Sequence, residues 1–404
     1  MNKKVFNKNI ISFYIAFIFI TIASSLPHSV LTVLLFQKGL SLSQIMIVQA
    51  VYSLAILISE YPSGLLADIY SKKNLFIISK FFLILMFILV LCGKNIVVMS
   101  IAWFFYGISS ALDSGTIDAE IINDLKTLNQ ENKISKFISN TNRFNFISLL
   151  IGSTIGSWIY YRIGIRFYFI SILLTLLSIL IIQIFYLEHS KMSRPNDSNA
   201  LTGMLKQINS GITELKGSFD LKLMIALTFV SQFFFQTHYQ IWQALFLFKG
   251  FNKKTFFIYY IIFQLISFIA YSIPFSSRSI NKQSKHYLGV EGLIMIIGLI
   301  SIPNNNKIIF LVSYLMLVFV FTFFDYFSNV LFSEAVSIER ISSLTSLKSS
   351  CGRIASLISM MLSSFLLNLF SVSFVVTLNF ACAIISSLVV ISIFVKKQAR
   401  PTLE

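Results

Sequence analysis

The sequence is poor in charged residues, in cysteine and in nucleotide-binding motifs. Only 12% of its 404 residues are charged, about half the share in soluble domains, which excludes an ordinary soluble protein. Its three cysteines lie in apolar runs without metal-ligand spacing, so neither a disulfide framework nor a metal site is predicted. No Gly-x-x-x-x-Gly-Lys-Ser/Thr loop occurs, so ATP does not drive the protein directly. The basic residues are dispersed over short loops, which argues against nucleic-acid binding.

Hydrophobic residues, in contrast, make up 56% of the chain, and 42 residues are Phe. Twelve apolar runs are each long enough to cross about 30 Å of hydrocarbon. They predict an all-α integral membrane protein with twelve transmembrane helices. We number these spans 1 to 12, with predicted bounds 10–36, 43–66, 74–93, 96–119, 137–161, 166–187, 221–248, 255–275, 287–304, 307–336, 349–369 and 371–395.

A long polar stretch divides the spans six and six. We therefore predict an N-terminal six-helix bundle at 1–187, a cytoplasmic linker at 188–220 and a C-terminal six-helix bundle at 221–404. Lys and Arg are concentrated in the alternate loops that share a side with this linker, which places both termini in the cytoplasm. Landmark residues recur at offsets of 210 to 212, namely His28 with His238, Arg143 with Arg353, Lys38 with Lys249 and Asp113 with Asp325. This register predicts two six-helix pseudo-repeats.

Charged residues inside the spans are the first functional candidates, because each costs about 2.5–3.5 kcal/mol to insert at mid-bilayer. Asp113 and Arg143 are predicted at one depth in consecutive spans, where they could form a structural ion pair or a proton-dependent one. Arg353 could pair with Asp325 or with Glu334. Glu60 could titrate or only hydrogen-bond a neighbouring backbone. Glu120 and Glu334 are expected at or near the cytoplasmic surface, where they would be solvated. The candidates for proton coupling or ion pairing are Asp113, Arg143, Asp325, Arg353 and Glu60.

Polar stripes on spans 1 and 7 predict a substrate cavity. Its candidate lining residues are His28, Ser25, Thr32, His238, Gln232, Gln236 and Trp242. A histidine can exchange protons near neutral pH, although a single membrane histidine is more often a packing residue. The histidine and glutamine stripes of span 7 lie roughly 120° apart, so either the helix is broken or one stripe packs against a neighbour. Amide and aromatic side chains suit an amphipathic organic substrate.

The segment Gly64-Leu-Leu-Ala-Asp68-Ile-Tyr-Ser-Lys72-Lys73 resembles the loop motif between helices 2 and 3 of the major facilitator superfamily, Gly-x-x-x-Asp-Arg-x-Gly-Arg/Lys-Arg/Lys. Ile69 and Ser71 depart from that motif. Gly39-Leu-Ser-Leu-Ser-Gln44 and Ser114-Gly115-Thr-Ile-Asp118 look like a divergent bacterial efflux-type branch. The resemblance implies that Gly64, Asp68, Lys72 and Lys73 form a conformational loop motif, with Asp68 meeting the start of span 11. The helix-5 antiporter motif is half present, as Gly152 and Gly156.

These features predict a secondary transporter, not an enzyme, in the bacterial inner membrane. It is expected to be a monomer with a small-molecule substrate, no cofactor and the proton gradient as its driving force. The expected activity is multidrug-type, proton-coupled efflux of a hydrophobic or amphipathic compound by alternating access. Proton-coupled uptake of a metabolite is the alternative. A lipid-linked transferase would need clustered metal ligands, and Asp113 and Asp118 are about 140° apart around a helix.

Overall fold

The computed structural model describes residues 3–114, 116–188, 213, 215, 217–273, 292–336 and 341–398, and in these ranges the regular structure is helical throughout. The α-helices are α1 Lys3–Ser25, α2 Leu31–Gln37, α3 Leu42–Ile69, α4 Lys72–Cys92, α5 Ile96–Asp113, α6 Ile117–Thr127, α7 Ile134–Ile163, α8 Tyr168–Phe185, α9 Phe219–Phe248, α10 Phe256–Ser272, α11 Gly292–Ser301, α12 Lys307–Ala335, α13 Ile341–Leu367 and α14 Val372–Gln398. Nine stretches of this described chain are long and apolar enough to cross a membrane.

The predicted twelve-helix architecture is confirmed, with two of the spans interrupted. Span 1 corresponds to α1 and α2, and Pro27, which has no backbone N–H to donate, lies in the turn between them. Span 4 corresponds to α5 and α6, because α5 ends at Asp113 and α6 begins at Ile117. Each remaining span corresponds to one helix. Both interruptions occur at positions that carry candidate functional residues.

Residue contacts divide the chain into two compact units. Unit 1 comprises Met1–Asp197 with Asn252–Ile261, and unit 2 comprises Ser198–Phe251 with Ile262–Glu404. The domain bounds predicted from the sequence, with a linker at 188–220, stay a prediction, because most of that linker lies outside the described residues.

Close helix packing holds unit 1 together where α7 meets α1. A side-chain carbon on Gly152 would collide with the Ser25 hydroxyl, and one on Gly156 would collide with the backbone carbonyl of Leu26. Two glycines four residues apart therefore let the α7 backbone lie directly against α1, as their spacing predicts.

Unit 2 is built around α9, which packs on α12, α13 and α14. Its core is aromatic. The Phe234 ring stacks on Phe321 with 3.9 Å between centroids and lies 4.4 Å from the ring of Phe380. All three side chains are buried. Stacked rings of this kind stabilise a helix interface beyond the area that they bury.

At the matching position of each unit, a lysine donates hydrogen bonds to backbone carbonyls. Lys38 donates its Nζ to the carbonyl of Gly93 at the end of α4. Lys249, its counterpart 211 residues later, donates to the carbonyls of Pro303 and Asn304 just beyond α11, at 3.0 and 2.9 Å. Partial burial lowers the pKa of both lysines. Carbonyls at or just beyond a helix end have no donor from that helix, so each lysine supplies one, in agreement with the predicted repeat register.

The glycine that follows each of these lysines also recurs in both units. Gly39 has φ = 87° and Gly250 has φ = 76°, a left-handed conformation that glycine adopts without steric cost. Two independent local features therefore recur at one offset, which is difficult to explain without a common architecture for the two units.

Substituting Gly156 with valine tests the packing of α7 against α1. The new side chain would overlap the Leu26 carbonyl, and overpacking of this kind costs about 1–3 kcal/mol. We expect a lower melting temperature of the purified protein in detergent. Ile155→Ala on the same helix is the matched control, because Ile155 is 45% exposed. Equal melting temperatures for Gly156→Val and the wild type would contradict the close contact.

Candidate functional site

An ion pair lies between two apolar helices of unit 1. The Nζ atom of Lys80, on α4, is 2.6 Å from Oδ1 of Asp113, the last residue of α5. The lysine side chain is only 2% exposed, whereas the aspartate is 39% exposed. The ammonium also lies over the Phe76 ring, 4.4 Å from its centroid. A buried ammonium needs a counter-charge, and the partly exposed Asp113 supplies it.

The predicted partner of Asp113 was wrong, because the structure pairs it with Lys80 and leaves Arg143 exposed on α7. The depth argument assumed that span 4 continues past Asp113, but α5 ends there. In the antiparallel hairpin of α4 and α5, Asp113 lies five residues, or about one and a half helical turns, further from the connecting turn than Lys80. The long lysine stem covers that distance while its methylenes stay in apolar surroundings.

The same helix end divides the polar residues of span 4 between two helices. On α5, the hydroxyl of Ser110 lies 3.2 Å from that of Tyr52. On α6, Glu120 is buried and accepts a hydrogen bond from the Tyr186 hydroxyl at 2.9 Å. The expectation that Glu120 is solvated was therefore wrong, since Tyr186, just after α8, covers it. Glu60, in contrast, is exposed on α3.

The candidates on span 1 lie near the break between α1 and α2. Ser25 is fully buried, and its hydroxyl is 3.4 Å from the Ser148 carbonyl of α7. Thr32 is buried on α2. His28, in the turn, has its Nδ1 atom 3.0 Å from the hydroxyl of Tyr260 within unit 1. Ser25 therefore contributes to helix packing, and a role in substrate binding stays a prediction for all three.

Helix α9 decides between the two alternatives for span 7, because it is continuous over 30 residues. His238 is buried in the aromatic core, with Nδ1 2.9 Å from the Tyr314 hydroxyl, and Trp242 is buried beside Phe263. Gln236 donates to the Ser356 hydroxyl of α13 at 3.0 Å. The histidine stripe therefore packs against neighbouring helices, while the glutamine stripe faces α13.

Gln232 also lines a cavity of about 370 Å³ between α9, α12 and α13 in unit 2. Two further site candidates, Asp325 and Arg353, line the same cavity. Residues that the sequence did not single out complete the lining, namely Thr228, Asn329, Phe332, Thr345, Lys348, Ser349, Gly352 and Ser356. In this unit the structure thus brings together polar residues that are more than one hundred positions apart in the sequence.

A hydrogen-bond relay connects the charges of this cavity. Oδ2 of Asp325 accepts from Nδ2 of Asn329 at 2.9 Å and from the Tyr271 hydroxyl at 3.3 Å. Lys348 in turn donates its Nζ to Oδ1 of Asn329. Asp325 therefore meets Lys348 through an amide bridge, and Arg353 lines the cavity beside them. The side chain of Glu334, the competing partner predicted for Arg353, lies outside the described residues.

The loop motif contributes a helix cap in unit 1. The Nζ atom of Lys73 donates to the carbonyls of Gln183 and Tyr186 at the end of α8, at 3.0 and 2.9 Å. Lys72 is half-buried at the start of α4. Gly64 and Asp68 lie in α3, and the side chain of Asp68 is outside the described residues. The inter-bundle role implied for Asp68 therefore stays a prediction.

Long apolar helices with charges between them define a multi-pass integral membrane protein. Among the described residues, no three His, Cys, Asp or Glu side chains lie close enough together to hold a metal ion. Residues 13–358 match the family model of the Major Facilitator Superfamily, and the chain belongs to this superfamily. It is therefore a transporter and not an enzyme.

Solved structures share the fold at low sequence identity. The nucleoside transporter NupG is 12% identical, with 98% of this chain and 99% of that chain covered and a TM-score of 0.70. A bacterial homologue of the iron transporter ferroportin is 16% identical, with 99% and 100% covered and a TM-score of 0.68. A bacterial homologue of the human lysosomal transporter Spinster is 10% identical, with both chains fully covered and a TM-score of 0.67. No protein of curated function matches the sequence.

A double-mutant cycle tests the Lys80–Asp113 pair. Asp113→Asn leaves the buried ammonium without its counter-charge and should lower the melting temperature in detergent. The loss should be smaller than the about 3–5 kcal/mol known for fully buried pairs, because Asp113 is 39% exposed. Lys80→Met combined with Asp113→Asn removes both charges and should recover most of the stability, and Lys80→Met alone completes the cycle.

Arg143→Gln is the control for this cycle, because Arg143 is exposed in the structure. Arg143→Gln should change the melting temperature little, both in the wild-type background and in the Asp113→Asn background. Strong coupling between Arg143→Gln and Asp113→Asn, with none for Lys80→Met, would restore the pairing predicted from the sequence.

Proposed function

We propose that this protein exports an amphipathic small molecule in exchange for protons, by alternating access of its two units. The observation that carries the proposal is the Lys80–Asp113 pair, a partly exposed carboxylate against a buried ammonium. Protonation of Asp113 would remove the counter-charge of Lys80. Since an unpaired buried ammonium is costly, proton uptake would favour a conformation in which Lys80 reaches water or another anion. Protonation of Asp113 would therefore change the arrangement of α4 and α5 directly.

The proposed substrate class rests on the mixed lining of the cavity in unit 2. Phe332 offers an apolar surface, while Gln232 and Ser356 offer hydrogen-bonding groups. Amphipathic molecules match such a lining because they carry both kinds of surface. The efflux direction is supported by the resemblance of Gly39–Gln44 and Ser114–Asp118 to an efflux-type branch. We further propose a monomer in the bacterial inner membrane, with cytoplasmic termini and no cofactor.

Proton-coupled uptake of a polar metabolite is the second candidate. The polar character of the same cavity favours it, since Asp325, Asn329, Lys348 and Arg353 all line one space. Export and uptake differ in the relation between the proton gradient and substrate movement, so one assay separates them.

Transport into inside-out vesicles with an imposed pH gradient, acidic inside, tests the proposal. A panel of amphipathic compounds should include at least one that accumulates while the gradient lasts and leaves when nigericin collapses it. Vesicles without the protein are the control. Failure of every compound to move with the gradient would count against antiport, and accumulation only with the reversed gradient would favour uptake.

Asp113→Asn tests which residue carries the coupling. If Asp113 takes up the proton, the variant should lose gradient-driven accumulation but keep exchange of substrate at equal concentrations on both sides. Asp124→Asn, a half-buried carboxylate on α6 of the same unit, is the matched control and should retain both. Unchanged accumulation together with a lower melting temperature would instead assign Asp113 a structural role only.

A further inference from the structure

The cavity of unit 2 has an unequal balance of charge. Among its described lining residues, the ionisable ones are Asp325, Lys348 and Arg353, one carboxylate against two cations. Unit 1 differs, because the Lys80–Asp113 pair matches one cation with one carboxylate. An excess positive charge between apolar helices favours occupation by an anion, since a solute charge can supply the stabilisation that water provides elsewhere.

The only carboxylate among these lining residues is already committed to a hydrogen-bond relay. Oδ2 of Asp325 accepts from both Asn329 and Tyr271. Lys348 is hydrogen-bonded to the Asn329 amide, which bridges it to Asp325, and the two charges also attract each other through space. Lys348 is also 9% exposed and lies over the Phe332 ring, 4.4 Å from its centroid. The carboxylate of Asp325 thus serves as counter-charge for the buried Lys348, and the guanidinium of Arg353 lines the same cavity.

The rest of the lining defines the shape of molecule that would fit. The volume of about 370 Å³ falls within the range of small-molecule sites. Thr345 and Ser349 are exposed on α13, so the cavity opens beside them, while Phe332 is buried and supplies an apolar wall. A guanidinium binds a carboxylate through two parallel hydrogen bonds, a geometry that an alcohol or an amine cannot reproduce.

We propose that this cavity binds an organic anion, an amphipathic molecule whose single carboxylate meets Arg353 with Lys348 as the second cation. The inference deepens the proposed function by naming the charge of the substrate. Its role in transport rests on that function, whereas binding itself needs no proton gradient.

Protection of an engineered thiol tests the inference. Cys92, Cys351 and Cys382 are first replaced by serine, and Ser349→Cys then places one thiol at the exposed edge of the cavity. The protein is held in nanodiscs of phosphatidylcholine, and the rate of N-ethylmaleimide alkylation is measured. The probe is 4-phenylbutyrate, with 4-phenylbutanol and 4-phenylbutylamine as neutral and cationic analogues. We expect the acid to slow alkylation at concentrations at which neither analogue does.

Substitutions in the Ser349→Cys background test which charged residues of the cavity bind the carboxylate of the probe. Arg353→Gln should raise the half-protecting concentration of 4-phenylbutyrate about tenfold or more, the usual effect of losing a charge-assisted hydrogen bond. Asp325→Asn should lower it, because one negative charge leaves the cavity while the amide keeps an acceptor for Asn329. Lys254→Gln, at an exposed lysine outside the cavity, is the matched control and should leave it unchanged.

Three results would overturn the proposal, namely equal protection by the alcohol, full protection by the acid in Arg353→Gln, and no protection by any probe. A further arm replaces part of the phosphatidylcholine with phosphatidylglycerol. Complete protection there without any probe would assign the cavity to a lipid headgroup and would also overturn a soluble anion as the occupant. Protection by the acid without gradient-driven transport of any compound would overturn the proposed function and leave the anion site intact.

Discussion

The structure depends most on one constraint, the high cost of a polar group without a partner in hydrocarbon. Its lysines show three solutions to that constraint. Lys80 is buried against a carboxylate. Lys38, Lys73 and Lys249 each donate to a backbone carbonyl just after the end of a helix, where no donor from that helix is available. Lys348 binds an amide that is itself bound to a carboxylate. The long lysine stem makes all three possible, because the charge can sit a helical turn away from its backbone.

The sequence was sufficient for the number of helices because hydrocarbon thickness sets their length. Ion-pair partners depend on finer details. Asp113 was recognised as a candidate from its place in an apolar run, and Lys80 carried the same signal. The choice of Arg143 failed because a helix end at Asp113 and the reach of a side chain decided the contact. Hydropathy does not report either quantity at single-residue resolution.

Rotation of a helix about its axis is the second property that the sequence left open. Both stripes of α9 are polar, so composition could not decide which one faces a cavity. Packing decided it, because the rings of Phe234, Phe263 and Tyr314 surround His238, whereas Gln236 meets a hydroxyl of α13. Such a choice depends on neighbours that are far away in the sequence. The most informative lining residues, Lys348 and Asn329, were missed for the same reason.

The two units share a register but differ in electrostatics. Asp113 and Asp325 are 212 residues apart, yet the first meets a lysine directly and the second meets one through an amide. A balanced pair is suited to respond to a proton, since protonation of its carboxylate changes the local charge by one unit in a place where charge is costly. An unbalanced cavity is suited to hold an anion. The two proposed roles, proton response in unit 1 and anion binding in unit 2, therefore rest on a carboxylate at matching positions whose lysine comes from a different helix in each unit, α4 in unit 1 and α13 in unit 2.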